Sequence, residues 1–182
     1  MARTLARHGA QVICADRTAA PFDAAAAGLD PDRILWTAGH DLADMAAVQA
    51  VVATGVARFG RVTGLVNTVG GFATRRVLDG ALDQWDSLMR LNARVALVTS
   101  AAVLPPMLAG GHGRIVHIAA QPGIKAVAGQ AAYAASKAAV IRLIESLAAE
   151  HRADRITANC VLRAARHHRH AGQPQVDAGC QA

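Results

Sequence analysis

The chain has 182 residues, 53% of them hydrophobic, and this composition excludes a disordered or fibrous protein. Its length allows one substantial core but not two ordinary domains. No apolar run is as long as a membrane-spanning helix requires, and residues 1–15 lack the layout of a secretory signal. The three cysteines form no paired motif, which favours a reduced, cytoplasmic protein. The lack of a long apolar run predicts no membrane partner.

The formal net charge of +6 is a weak indication of nucleic-acid binding. Part of the excess lies in residues 163–182, and the rest is spread along the chain without clusters. We therefore expect a small-molecule substrate and no nucleic-acid partner.

Strands and helices alternate along the predicted chain. Apolar runs rich in Val, Ile and Leu predict strands at 11–15, 33–37, 62–66, 114–118 and 155–162. Helical segments are predicted at 19–29, 45–59, 82–108 and 130–151, with Asp44 as an N-cap and Gly60 as a stop for the second. The alternation predicts an α/β fold with a doubly wound parallel sheet over residues 1–162. Residues 163–182, rich in His and Arg, are predicted to be an irregular basic tail.

Polar or glycine-rich residues follow four of the predicted strands. Asp16, Asp41 and the segments 67–71 and 119–123 stand at these positions. Each is also compatible with an ordinary turn. Ligands of such sheets bind beyond the carboxyl ends of the strands, so together these residues predict one crevice.

The last predicted helix carries Tyr133 and Lys137, which are four residues apart and therefore on one helix face. An ammonium beside a phenol favours the phenolate, which lowers the phenol's pKa toward neutral pH and suits it to general acid–base catalysis. The alternative is a surface lysine whose stem covers an amphipathic tyrosine.

The combined pattern resembles the short-chain dehydrogenase/reductases, which have a Rossmann-like fold. The matching segments, in the family's order and spacing, are VICADR, HDLAD, LVNTVGG, LNARVAL, GRIVHIAA, YAASK and ITANCVL. The resemblance covers residues 2–162 and implies an NAD(P)-dependent oxidoreductase that transfers hydride between nicotinamide and a carbonyl or quinonoid substrate.

Roles for individual residues follow from this resemblance. Tyr133 would be the general acid/base, Lys137 would hold the nicotinamide ribose, and Asn92 would order a water in the proton relay. The alternative for Asn92 is an ordinary polar residue of a helix interior. The resemblance also implies that family members associate through the helices at 82–108 and 130–151, which predicts a homodimer or homotetramer.

Four further positions correspond to cofactor-binding residues of the family. Asn67 and Gly70 would allow a close approach of the cofactor, and Asp41 would bind the adenine. Asp16 would accept hydrogen bonds from the adenosine ribose, which favours NAD over NADP because its charge repels a 2′-phosphate. Arg17 beside it weakens that preference.

The chain departs from the family at both ends and at one site position. Met1 to Ala10 align with the later half of a helix, so we expect the family's first strand and its phosphate-binding glycine turn to be absent and the fold to be incomplete. The position of the family's serine holds Ala120, as in dihydropteridine-reductase-like members. This favours that subclass, with 3-oxoacyl-carrier ketoreductases next.

The segment after Leu162 does not continue in the family's manner. A one-nucleotide shift of frame across residues 167–180 permits a Thr-Pro-containing continuation of the family's kind, so we hypothesise a shifted reading frame. His167, His168 and His170 could instead bind an adventitious metal, but no ligand partner stands at a suitable spacing, so we predict no metal site. A catalytically impaired, truncated family member without productive cofactor binding is the alternative to the enzyme.

Overall fold

The computed structural model describes residues 1–17 and 28–163. The five predicted strands all form, and their ends lie within two residues of the predicted ones. They are β1 (Val12–Asp16), β2 (Ile34–Ala38), β3 (Gly64–Asn67), β4 (Gly113–Ala120) and β5 (Ile156–Arg163). Every pair among them is parallel, which confirms the α/β fold.

The helices are α1 (Ala2–Arg7), α2 (Met45–Phe59), α3 (Leu82–Leu88), α4 (Val95–Ala109) and α5 (Ala131–Glu150). Helix α2 begins and ends as predicted, because Asp44 accepts a hydrogen bond from the Ala47 N–H and Gly60 adopts a left-handed conformation. The helix predicted at 19–29 lies mostly outside the described residues. Its last predicted residue, Leu29, is described and is not helical.

The predicted helix 82–108 is continuous but not uniform. Between α3 and α4, residues Met89–Arg94 form a π-helical segment with wider turns. By length and composition, Leu82–Ala109 would be long enough to cross a membrane, yet half of its most apolar stretch is buried inside the protein, as in the core helix of a soluble protein. Wide turns of this kind often mark functional sites.

The strands form two separate sheets in the described part of the chain. β1 pairs with β2, and β3, β4 and β5 form a three-stranded sheet in that order. A cleft of about 730 Å³, part of it open to solvent, separates β1 from β3 and is lined by apolar residues such as Ile13, Leu65, Val48 and Val103. The described residues supply no strand between β1 and β3, as expected from the sequence.

The main core lies between the three-stranded sheet and the helices α4 and α5. Met107 and Ile115 are fully buried, and Val140, Ile144 and Ile156 pack around them.

The loop after β2 is bonded to the π-helical segment, since the Arg94 Nε donates to the Ala43 carbonyl at 2.9 Å. Both sheets therefore present the carboxyl ends of their strands at one edge.

Candidate active site

Asn67, at the end of β3, organises the loop that follows this strand. Its Oδ1 accepts a hydrogen bond from the Val69 N–H at 3.0 Å, and its Nδ2 lies 3.0 Å from Nδ1 of His117 on β4. The Asn67 side chain is buried. It therefore holds the loop rather than presenting a free amide to a ligand.

Asn92 lies in the π-helical segment and connects the same loop to α5. Its Oδ1 accepts from the Gly71 N–H at 2.9 Å, and its Nδ2 donates to the Gly71 carbonyl at 3.1 Å and to the Ser136 Oγ at 2.9 Å. The residue is 1% exposed. The wide turn lets a buried side chain bond to the backbone of a loop and to a neighbouring helix at once.

Gly70 is in the one place where the loop, Asn92 and Lys137 meet. A Cβ at this position would lie 2.8 Å from the Asn92 Oδ1 and 3.1 Å from the Lys137 Nζ. Glycine is therefore required here by close approach. The structure thus brings together Gly70, Asn92 and Lys137, three of the predicted site residues, with Asn67 holding the preceding turn.

Lys137 is nearly buried on the inner face of α5. Its Nζ donates to the Ile118 carbonyl of β4 at 2.8 Å, and burial lowers the pKa of this ammonium. A lysine that covered a surface tyrosine would not have these properties. Lys137 is instead a desolvated cation at the sheet edge.

Tyr133 lies on the same helix, and its ring meets the ring of Phe72 edge to face, with centroids 4.8 Å apart. Burial raises the pKa of its phenol, and the positive charge of Arg163 at the end of β5 opposes this rise. The predicted lowering of this pKa by Lys137 is therefore wrong: burial is the larger influence, and the cation that opposes it is Arg163.

Asp16 and Asp41 follow the two strands of the smaller sheet. Asp16 is exposed at the end of β1. The Asp41 carboxylate accepts from the Ala43 N–H at 2.9 Å and from the Arg90 guanidinium, and these two bonds, in that order, lower its pKa. Asp41 therefore anchors the loop to the π-helical segment in addition to lying at the predicted edge.

Sequence reasoning missed the polar residues that support the site from behind. Ser136 bonds to Asn92, Arg90 bonds to Asp41, and Ser100 on α4 lies 2.9 Å from the Nε2 of His117. The signal that could have revealed Ser100 was His117, a histidine among apolar residues in a buried strand, which requires polar partners elsewhere in the core.

Among residues 1–17 and 28–163, no cluster of candidate metal ligands occurs, and the histidines of the tail lie outside them.

The residues at the edge fit the two ribose-bearing ends of a dinucleotide better than they fit its pyrophosphate. A buried ammonium, a phenol and a close-packed glycine loop suit a ribose and its attached ring, and the exposed Asp16 suits ribose hydroxyls. In the described ranges, however, no glycine turn leads from a strand to a helix N-terminus beside β1 and β3. Such turns are the usual donors to a pyrophosphate.

The profile of the short chain dehydrogenases matches residues 1–165. The chain belongs to the short-chain dehydrogenase/reductase family. Two similar curated relatives are the inactive 2-(S)-hydroxypropyl-CoM dehydrogenase 2 of Xanthobacter autotrophicus, with 34% identity over 88% of this chain, and D-threitol dehydrogenase of Mycolicibacterium smegmatis, with 35% over 82%.

Solved structures of the family have the same fold as this chain. One, described as a short-chain dehydrogenase/reductase from Burkholderia xenovorans, has 36% identity and a TM-score of 0.82 over 91% of this chain and 64% of its own. A short chain dehydrogenase from Mycobacterium smegmatis has 27% identity and a TM-score of 0.81 over 90% and 69%, respectively. The chain spans 58% to 69% of the length of these four relatives.

Proposed function

We propose that the chain is an NAD(P)-dependent oxidoreductase that transfers hydride between nicotinamide and a carbonyl or quinonoid substrate, with Tyr133 as the general acid/base. The observation that carries this proposal is the convergence of Asn92 and Lys137 on Gly70, with Tyr133 one helical turn from Lys137. A close-packed glycine, a buried cation and a nearby phenol at one sheet edge have little structural purpose together. They suit a site where a ligand lies against the backbone and a proton is transferred beside it.

Each of the candidate site residues has a defined role in the proposal. The nicotinamide cofactor supplies or accepts hydride when it is bound. Lys137 donates to the nicotinamide ribose, Gly70 allows the close approach, and Asp16 accepts from the adenosine ribose, which favours NAD. Tyr133 gives its phenolic proton to a reduced carbonyl or quinonoid substrate. Asn92 holds the loop and α5 together through Gly71 and Ser136. In the proposal Asn92 also orders a water molecule in the proton relay.

The two lysines of the chain offer a matched test. Lys137→Met should abolish the enhancement of NADH fluorescence on binding, because it removes the buried ammonium. Lys125→Met changes the other lysine, which is exposed in the loop after β4, and should leave binding unchanged. Equal effects of the two substitutions would contradict the assignment of Lys137.

Catalysis is tested separately at Tyr133. Tyr133→Phe removes only the phenolic oxygen and should lower turnover of a ketone or a quinonoid dihydropterin by about 10²–10⁴-fold, the usual contribution of a general acid. Cofactor binding should persist in this variant. Turnover at the native rate would show that the proton comes from another group.

A catalytically impaired family member is the second candidate. The cleft between β1 and β3, together with the lack of a phosphate-binding turn in the described residues, favours it. One of the similar relatives is itself named as inactive. A folded chain that does not alter NADH fluorescence at any concentration would establish this candidate over the enzyme.

We also propose a cytoplasmic homodimer or homotetramer that acts on a small molecule, without nucleic-acid or membrane partners. Leu97 and Leu108 of α4 remain about half exposed, which supports association through this helix. Analytical ultracentrifugation of the native chain and a Leu97→Glu variant tests the assembly, since the variant should sediment as a monomer.

Ala120, buried at the end of β4, supports a dihydropteridine-reductase-like substrate.

A further inference from the structure

Three polar side chains form a buried line of hydrogen bonds from the larger sheet to α4. His117 on β4 is 1% exposed, and its ring lies between Asn67 of β3 and Ser100 of α4. Its Nδ1 is 3.0 Å from the Asn67 Nδ2, and its Nε2 is 2.9 Å from the Ser100 Oγ. Both ring nitrogens therefore have a partner in an otherwise apolar core.

The hydrogen bonds around Asn67 determine which nitrogen of His117 carries the proton. The Asn67 Oδ1 accepts from the Val69 N–H, so the atom directed to His117 is the amide nitrogen, which can only donate. The His117 Nδ1 must then accept. A neutral ring consequently carries its proton on Nε2 and donates it to the Ser100 hydroxyl.

We propose that His117 is a positioning residue of the active site: its neutral, Nε2-protonated ring fixes the Asn67 amide and thereby the backbone from Val69 to Gly71. The connection is continuous. Asn67 holds the Val69 N–H, Gly71 is bonded in both directions to Asn92, and Gly70 between them packs against the Lys137 ammonium. A ring rotated or protonated at Nδ1 would present a donor to the donor of Asn67. The loop would then lose its anchor.

The surroundings of the ring support the neutral form. Burial of the ring is the main cause that lowers the pKa of His117, and the positive charge of Lys137 lowers it further. The Lys137 Nζ itself donates to the carbonyl of Ile118, the next residue of β4. The carbonyl that binds the Lys137 ammonium thus belongs to the residue directly after His117 in β4. This adjacency connects His117 and its hydrogen bonds to a residue that the proposed function uses.

The first test is the tautomer, observed in the long-range ¹H–¹⁵N spectrum of the labelled, cofactor-free protein. We expect Nε2–H at neutral pH. Asn67→Asp replaces the donor by an acceptor and should move the proton to Nδ1 or charge the ring, whereas Ser100→Ala should leave Nε2–H in place because Asn67 is unchanged. An Nδ1–H ring in the native protein, or an unchanged tautomer in a folded Asn67→Asp variant, would overturn the proposal.

The second test uses the rescue of a lost acceptor. His117→Asn places an oxygen close to the former Nδ1, and His117→Leu places none. The Val69 amide should exchange its hydrogen about tenfold faster in His117→Leu than in His117→Asn, as expected for the loss of one hydrogen bond. Equal exchange in the two variants would show that His117 only fills space. If Asn67→Asp does not fold, this pair and Ser100→Ala still decide the question.

The consequence for the cofactor rests on the proposed function. NADH affinity should follow the order native, His117→Asn, His117→Leu. Tautomer and amide exchange are measured without cofactor, so a chain that binds no NADH would refute the proposed function and leave the positioning role standing. A cofactor affinity equal in both variants, despite the difference at Val69, would overturn the extension to binding.

Discussion

The two sheets of this chain are built from similar apolar strands but are supported very differently. In the three-stranded sheet, Ile115 and Ala119 of β4 are almost completely buried between β3, β5 and the helices α4 and α5. In the two-stranded sheet, every residue of β2 and all but the last of β1 are only partly buried. The inner edge of β1, which faces the cleft, has no partner strand in the described part of the chain.

This difference divides the candidate site in two. Asn67, Asn92, Tyr133 and Lys137 rest on the well-covered sheet and its helices. Asp16 and Asp41 depend on the smaller sheet, which contacts the rest through Ile13 against Gly55 of α2 and through Arg90 to Asp41. Two paired strands are marginally stable without further packing. The half that we propose to bind the nicotinamide end is thus expected to be more rigid than the half that we propose to bind the adenosine end.

The largest expected effect is on the free energy of unfolding when one isoleucine is truncated in each sheet. Ile115→Ala removes a fully buried side chain and should cost about 2–5 kcal/mol. Ile13→Ala, in half-buried β1, should cost about 1–2 kcal/mol, since less apolar surface is lost. Urea denaturation of both variants measures this. Equal losses would contradict the proposed difference between the sheets.

Acid should weaken the larger sheet through His117. Burial and the charge of Lys137 lower the pKa of His117 from 6.5 to about 4. Between these values the unfolded chain binds a proton that the folded chain does not, so the free energy of unfolding falls as the pH drops, by about 3 kcal/mol at pH 4. This loss should be absent in His117→Asn and retained in His112→Gln, as measured by denaturation from pH 7 to 4. An identical pH dependence in both variants would place the acid sensitivity elsewhere.

Hydrogen exchange compares the two sheets directly without any substitution. Amides of β4 should exchange only on global unfolding, whereas those of β1 and β2 should exchange by local opening, at least about tenfold faster. This corresponds to an opening free energy lower by about 1.4 kcal/mol. Any extended segment that paired with both β1 and β3 would remove the difference. Equal protection in the isolated chain would show that the cleft does not weaken the smaller sheet.

The elements were predictable from the sequence where a local signal exists. Apolar runs located all five strands, and Asp44 and Gly60 located the ends of α2. The family motifs led to Gly70, Asn92 and Lys137, which the structure brings together. The sequence predicted a single incomplete sheet, whereas the described residues form two sheets, because no strand among them joins β1 to β3.

The contacts between distant residues were not predictable in the same way. The network of Asn67, Ser100 and His117 joins residues up to 50 positions apart, and no spacing rule reports such a contact. The direction of the Lys137 ammonium depends on the Ile118 carbonyl of a neighbouring strand. The predicted sign of the shift in the pKa of Tyr133 was wrong because that shift depends mainly on burial, and the cation that opposes it, Arg163, lies 30 residues away in the sequence.

The smallest expected effect is on the pKa of Tyr133, the proposed general acid, when the positive charge of Arg163 is removed. Arg163 ends β5 opposite Ala120 and lowers the pKa of Tyr133 against the rise caused by burial. Arg163→Gln should therefore raise this pKa further. Tyr133 is the chain's only tyrosine, so the phenolate absorbance reports it alone, over the pH range in which circular dichroism shows a folded chain.

The matched control is Arg114→Gln, which should titrate like the native protein. Arg114 lies at the opposite end of β4, where its guanidinium donates to the Gly113 and Arg155 carbonyls. If both variants titrate alike, the cation acting on Tyr133 is not Arg163, and β5 contributes only packing to this half of the site.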